Sequence, residues 1–225
     1  MTERTLKRAL DIVLAGSALI AFSPILLAIA LAIRVSMGSP VLFRQVRPGY
    51  KGRPFTLLKF RSMREATDAD GRPLSGEERI TRIGRLIRRT SLDELPELWN
   101  VLRGEMSVVG PRPLLMEYLE FYTTGQMRRH DVRPGMTGWA QIHGRRGVQM
   151  QERIALDVWY VDHWSLRIDA RIILATVGQV LRGQGAEPTT AVPIHELGWA
   201  TTASRDAEEA DRHDSDGPEP QVAGG

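Results

Sequence analysis

The sequence of 225 residues predicts an α+β fold that is mostly helical. A broken, re-entrant membrane helix at the N-terminus is followed by a short β-hairpin, then by amphipathic interfacial helices packed on a small cytoplasmic domain. Three observations predict it. Ile12 to Ile33 is a run of 22 residues without a charge, long enough to span a bilayer as a helix. Two β-prone segments flank turn residues at 48–52. Most remaining apolar residues recur at helical spacing. The expected divisions are an anchor over 1–38, a cytoplasmic-face domain over 39–186, and a disordered tail over 187–225.

The apolar run has Arg4, Lys7 and Arg8 before it and Arg34, Arg44, Arg47, Lys51 and Arg53 after it. Positive charge on both flanks gives the positive-inside rule no direction. Ser23-Pro24 lies mid-run, where proline removes one helical N–H and crowds the carbonyl of Ile20. A break there lets the chain enter one leaflet and leave on the same side, with both basic flanks cytoplasmic. A kinked spanning helix is the rival reading, because membrane helices tolerate proline. Cleavage as a signal peptide after Ala28-Ile29-Ala30 is disfavoured by the length of the run and the basic residues beyond it.

Val41-Leu42-Phe43 and Phe55-Thr56-Leu57-Leu58 predict a hairpin over 40–61, turning at Pro48-Gly49-Tyr50-Lys51-Gly52. Residues 65–78 read as an exposed loop. Ile80, Ile83, Leu86 and Ile87 recur at helical spacing among Arg79, Arg82, Arg85, Arg88 and Arg89, a basic amphipathic helix suited to a headgroup layer. Leu95, Leu98, Trp99 and Leu102 predict the next helix, stopped by Gly104. Further helices are expected over 114–130, 150–163 and 166–182, with a loop at 132–147. Trp159, Tyr160, His163 and Trp164 form an aromatic cluster that suits core packing or an interfacial belt. His143 and His163 lack metal-ligand spacing.

Cysteine is absent, which excludes disulfides and thiolate metal sites. The net charge of +3 conceals an uneven distribution. Residues 205–225 carry seven acids against two arginines, leaving +8 on residues 1–204. Such a body favours an anionic partner.

Asp93-Glu94, inside Arg88-Arg89-Thr90-Ser91-Leu92-Asp93-Glu94-Leu95-Pro96, is the pair most suited to chemistry. Ser91-x-x-Glu94 also matches a capping box, in which both residues serve the helix start. Pro96 weakens that turn, and the arginines around the pair favour a site where metal and phosphate meet. Mg²⁺ needs only one or two carboxylates when phosphates complete its shell. A carboxylate can also attack phosphorus and divide one transfer into two steps. Arginines or lysines nearby would neutralise a transferring phosphoryl group. Arg88 and Arg112 each flank a motif and Lys59-Phe60-Arg61 closes the hairpin, although each singly also reads as a solvated surface charge. Arg112 stands between Pro111 and Pro113, two residues of fixed φ that would present its guanidinium rigidly; a stiff loop whose arginine faces water is the rival reading.

Several separated motifs occur in order: Lys7-Arg8-x-x-Asp11, Ser23-Pro24, Phe43-Arg44-Gln45-x-Arg47-x-Gly49, Lys59-Phe60-Arg61-Ser62-Met63, Thr90 to Val101, Gly110-Pro111-Arg112-Pro113, Arg133-Pro134-Gly135-Met136-Thr137-Gly138 and Leu156-Asp157-Val158-Trp159-Tyr160. Together they resemble the bacterial sugar transferases, the monotopic polyprenyl-phosphate hexose-1-phosphate transferases, in their minimal catalytic form. The resemblance runs from about Lys7 to Leu181.

It implies transfer of a sugar-1-phosphate from a UDP-sugar to undecaprenyl phosphate with release of UMP, the first membrane step of exopolysaccharide or glycoconjugate synthesis. It further implies that Asp93 is the nucleophile and a Mg²⁺ ligand, that Glu94 assists, and that Lys59, Arg88 and Arg112 hold phosphates. The implied location is the cytoplasmic face of the plasma membrane. His143-Gly144-Arg145-Arg146 departs from the Asn-Gly-Arg-Asn that the family often shows, so the resemblance leaves sugar or nucleotide contacts from that loop open. A non-enzymatic monotopic scaffold binding anionic lipid is the alternative, but it gives Asp93-Glu94 no purpose. A nucleic-acid binder is disfavoured by the apolar anchor and the few aromatics on the basic stretches. The identity of the sugar and the existence of a homodimer stay open.

Overall fold

A computed structural model describes residues 2–65, 75–143 and 149–182. The expectations for the acidic tail and for Gly144, Arg145 and Arg146 lie outside the described residues.

Helix α1 runs from Glu3 to Met37. Thr2 caps its start by accepting from the Thr5 amide, and Gly38, at φ 74°, ends it. Helical structure is continuous through Ser23-Pro24, where the sequence predicts a break. Pro24 has no N–H for the Ile20 carbonyl, and Ser23 Oγ donates to that carbonyl instead, at 2.8 Å. The dipeptide thus interrupts one backbone bond and supplies a side-chain substitute.

Both halves of α1 rest on the rest of the fold. In the first half, Ala15, Ala18 and Leu19 pack with Leu57, Leu98, Val101 and Met106. In the second, Ile29 and Ile33 pack with Phe60 and Ile87. Ile20 and Leu27, between them, are exposed.

The hairpin is antiparallel, β1 (Leu42–Pro48) against β2 (Pro54–Phe60), with Leu42 opposite Phe60 and Pro48 opposite Pro54. Within the predicted loop at 65–78, a short helix α2 (Gly76–Arg79) forms on a capping box between Ser75 and Glu78. Helix α3 (Arg82–Arg89) starts at the N-cap Thr81 and buries Gly84 and Ile87. A Cβ on Gly84 would lie 1.9 Å from the Ser62 carbonyl oxygen, so only glycine permits this approach. After a single 3₁₀ turn at Leu92–Glu94 comes helix α4 (Glu97–Arg103), ended by Gly104 at φ 82°. Asn100 on α4 is fully buried; it donates to the Thr56 carbonyl at 2.7 Å and accepts from the Leu58 amide at 3.1 Å, fixing α4 to β2.

Two further expectations fail. The predicted helix over 114–130 is instead a 3₁₀ stretch (Met116–Phe121), a short helix α5 (Thr124–Met127) and a second 3₁₀ turn (Arg128–His130). Tyr122 and Thr123 are extended there, and Thr123 with Gln126 forms a capping box that restarts the chain as a new helix. The predicted loop at 132–147 contains β4 (Gly135–Thr137), which pairs in parallel with β3 (Ser107–Val109), and helix α6 (Trp139–His143). Helices α7 (Met150–His163) and α8 (Leu166–Leu181) form as expected. The aromatic cluster serves packing: Tyr160 is buried and donates to Asp169, while Trp159 stacks between Trp139 and His163.

Candidate active site

A cavity of about 850 Å³ lies between the hairpin, α3, the 3₁₀ turn and the loop carrying Arg112. Asp93, Glu94, Lys59, Arg88, Arg112 and Pro113 all line it. Pro111 is buried behind the wall, where its carbonyl accepts from the Gly135 amide at 3.0 Å.

The capping-box reading of Ser91 and Glu94 does not hold. Ser91 adopts a left-handed conformation (φ 55°, ψ 17°) and its side chain caps nothing. Glu94 is committed elsewhere: its Oε1 accepts from Lys59 Nζ at 2.7 Å and from Arg112 Nη2 at 2.5 Å. The tight left-handed turn at Ser91 lets α3 stop and the carboxylates enter the cavity within two residues.

Asp93 and Glu94 differ sharply in electrostatics. Burial, with the adjacent Glu94 charge, pushes the Asp93 carboxyl up to about 6, against the opposing pull of Lys59 and Arg88. Asp93 forms no ion pair among the described residues. Burial also acts to raise Glu94, but Arg112 and Lys59 outweigh it and hold that carboxyl down at about 2. The Glu94 charge in turn raises the pKa of Arg112. Glu94 is therefore a fixed anion, whereas Asp93 is a carboxylate without a dedicated counter-ion.

A third acid, Glu97, stands one helical turn beyond Glu94. It is 1% exposed, and its Oε1 lies 3.1 Å from Lys59 Nζ yet accepts no well-formed hydrogen bond. Burial and the Glu94 charge push it up to about 7. Arg88 reaches from α3 to Ser62 Oγ at 2.8 Å and to Met63 Sδ at 3.2 Å. The Arg112 loop is braced from behind. Arg129 Nη2 donates to the Arg112 carbonyl at 2.7 Å, and Arg129 is itself held by Asp157 at 2.6 Å in a fully buried ion pair.

The model of the bacterial sugar transferase family matches residues 2–183. The chain belongs to that family. Over 187 residues this sugar transferase is 51% identical to "Uncharacterized sugar transferase EpsL" of Bacillus subtilis (strain 168), covering 83% of the chain and 93% of the relative. It is 46% identical over 185 residues to the UDP-glucose:undecaprenyl-phosphate glucose-1-phosphate transferase of Escherichia coli (strain K12). That match covers 78% of the chain and 40% of the relative, so the chain spans less than half of that protein. A protein of the same name from Caulobacter vibrioides (strain ATCC 19089 / CIP 103742 / CB 15) is 44% identical over 190 residues, covering 80% of the chain and 71% of the relative.

The sugar transferase thus brings every residue singled out near Asp93 to one cavity, with Pro111 just behind it. Ser23 and Pro24 lie apart, in the exposed middle of α1. From sequence alone, Glu97 and Asn100, which lie inside the Thr90 to Val101 motif, receive no role, and Arg129 is not singled out. Glu94, Glu97 and Asn100 recur every third residue, and a polar stripe on an otherwise apolar helix is the signal that would have found two of them. Arg129 sits in a segment read as one helix and offered no such signal.

Proposed function

We propose that the sugar transferase moves a sugar-1-phosphate from a UDP-sugar to undecaprenyl phosphate, releasing UMP, through a phosphosugar carried covalently on Asp93. The observation that carries this reading is the contrast within the acidic pair. Asp93 faces the cavity without an ion-pair partner, beside a neighbour that two cations lock in place. Strong ion pairing lowers the nucleophilicity of a carboxylate, and Asp93 has no such partner among the described residues. In the first step Asp93 attacks the β-phosphorus and UMP departs. In the second, the lipid phosphate attacks the same phosphorus and restores Asp93. Arg88, on the helix that packs beside α1, is placed to meet the lipid phosphate.

The residues suit Mg²⁺. Asp93 is an unpaired oxygen ligand, and one carboxylate is enough where substrate phosphates supply the other oxygens. When bound, the metal supplies charge neutralisation on the phosphates. Lys59 and Arg112 orient Glu94, and Glu94 keeps both cations at the cavity wall.

The topology proposed is monotopic, on the cytoplasmic face of the plasma membrane. At 1.5 Å per residue, α1 is roughly 52 Å long, longer than a hydrocarbon core of about 30 Å. Both of its ends are nonetheless bound to one domain: Lys7 to Asp169, and Met37 to Arg61 and Thr81. That supports entry and exit on the same side, with the Ser23-Pro24 region deepest.

The test is UMP release from a panel of UDP-sugars with undecaprenyl phosphate and Mg²⁺. One sugar is expected to be turned over, and Asp93→Asn is expected to lose at least about a thousandfold in rate. Wild-type turnover by the Asn variant would remove Asp93 as nucleophile.

A further inference from the structure

The cations of the cavity are unequally occupied. Lys59 and Arg112 already share Glu94. Arg88 rests on Ser62 and Met63, and its charge acts on Asp93. Arg47, on β1, lines the same cavity and forms no ion pair among the described residues. Its Nη2 donates to Gln45 Oε1 at 2.7 Å, and its Nε is buried with no hydrogen-bond partner among the described residues.

A buried guanidinium N–H without an acceptor is unfavourable. The neighbourhood adds to that: burial and the nearby Arg112 charge both press the Arg47 pKa below its ordinary value. Gln45 and Arg47 project from the same face of β1, since side chains two apart in a strand share a face. The amide of Gln45 holds one edge of the guanidinium and leaves Nε wanting an acceptor. An anionic oxygen in the cavity is the ligand that satisfies the charge, and it satisfies the buried Nε as well once the guanidinium turns toward it.

Resting on the reaction proposed above, we propose that Arg47 binds the phosphate of the nucleoside monophosphate half of the donor and neutralises it as it leaves. In that step an Asp93 oxygen forms a bond to the β-phosphorus. The bond from that phosphorus to the bridging oxygen breaks, and its electron pair stays on the departing nucleoside monophosphate. Lys59 and Arg112 face Glu94 and Glu97, so this group offers little net charge to a diphosphate. Arg47 adds a full positive charge on the Arg112 side of the cavity, and Arg88 does so on the Asp93 side. The two arginines are thereby divided between leaving group and acceptor.

The test uses the full chain in lipid nanodiscs, with Arg47→Ala and Arg47→Lys. UMP binding is read by calorimetry, and steady-state KM is read separately for the active UDP-sugar and for undecaprenyl phosphate. The Ala variant is expected to raise the UMP Kd and the UDP-sugar KM by about tenfold or more, the loss a charge-assisted hydrogen bond implies. The Lys variant is expected to recover part of both, with the KM for undecaprenyl phosphate unchanged. A UMP Kd within about twofold of wild type in both variants, or an equal rise in KM for both substrates, overturns the proposal. UMP binding needs no turnover. A wild-type protein that binds UMP through Arg47 but turns over no UDP-sugar would refute the reaction and leave the Arg47 assignment standing.

Discussion

At Asp93, burial and the Glu94 charge prevail over Lys59 and Arg88, and the carboxyl reaches about 6 from an ordinary value of 3.8. The nucleophile proposed here must be ionised, so turnover is expected to fall as pH drops below about 6 and to level off above it. The same shift bears on stability. The folded state binds the Asp93 proton more tightly than the unfolded chain, so ionisation destabilises the fold as pH rises from about 4 to 6. Glu97, pushed up to about 7, acts in the same direction over a slightly higher window. Glu94, held at about 2, has the opposite sign: it stabilises above its ordinary 4.5, and that gain is lost as pH falls toward 2. Urea unfolding of wild type and Asp93→Asn checks this. Above pH 6 the Asn variant is expected to be more stable by roughly 1–3 kcal/mol, and the gap should close near pH 4. The acidic pair itself was readable in the sequence as chemistry among arginines. The resemblance also implied separate roles for the two acids, but the pairing that fixes Glu94 and leaves Asp93 free of one was not readable, because the Lys59 and Arg112 contacts to Glu94 bridge 35 and 18 residues of chain.

At the scale of elements, local pattern sufficed wherever partners were near in sequence. The hairpin, α4, α7 and α8 each follow from periodicity and a visible stop signal. The β3–β4 pair did not, since two three-residue strands separated by a long intervening chain leave no periodic trace. In the stretch 114–130, Leu114, Tyr118 and Tyr122 stand at helical spacing, yet they meet Met150 and Ile154 of α7 from a backbone that is 3₁₀ or extended and not one α-helix. Glycine carries the closest contacts between elements. Gly84 lets α3 lie on Ser62, and Arg88, on the same short helix, bonds the Ser62 hydroxyl. Gly84→Ala is expected to push α3 outward, costing about 1–3 kcal/mol by overpacking and lowering turnover through displacement of Arg88. Thermal melts and kcat on the same sample check both effects.

For the whole molecule, the decisive relation is between α1 and everything it touches. Because the chain has no cysteine, single cysteines at Thr2 and Ser36, both exposed, report sidedness without background. Both are expected to react with a membrane-impermeant maleimide in inside-out vesicles and neither in right-side-out ones. Labelling of the two positions from opposite sides would establish a spanning helix instead.

The polar contacts of the first α1 turns add a practical consequence. Lys7 donates to the Val109 carbonyl at 3.1 Å, and Asp11 accepts from the Val108 amide at 2.9 Å and from Ser107 Oγ at 3.0 Å. These bonds pin the strand that runs directly into Gly110-Pro111-Arg112. Arg8 adds two more, to the Val101 and Leu102 carbonyls at the end of α4. A truncation beginning at residue 39, made to obtain a detergent-free enzyme, would strip these supports along with the cover over Leu57, Leu98 and Ile87. The helix proposed to enter the lipid is also packed into the body that holds the site, so cutting it free is expected to cost the fold as well as the anchor.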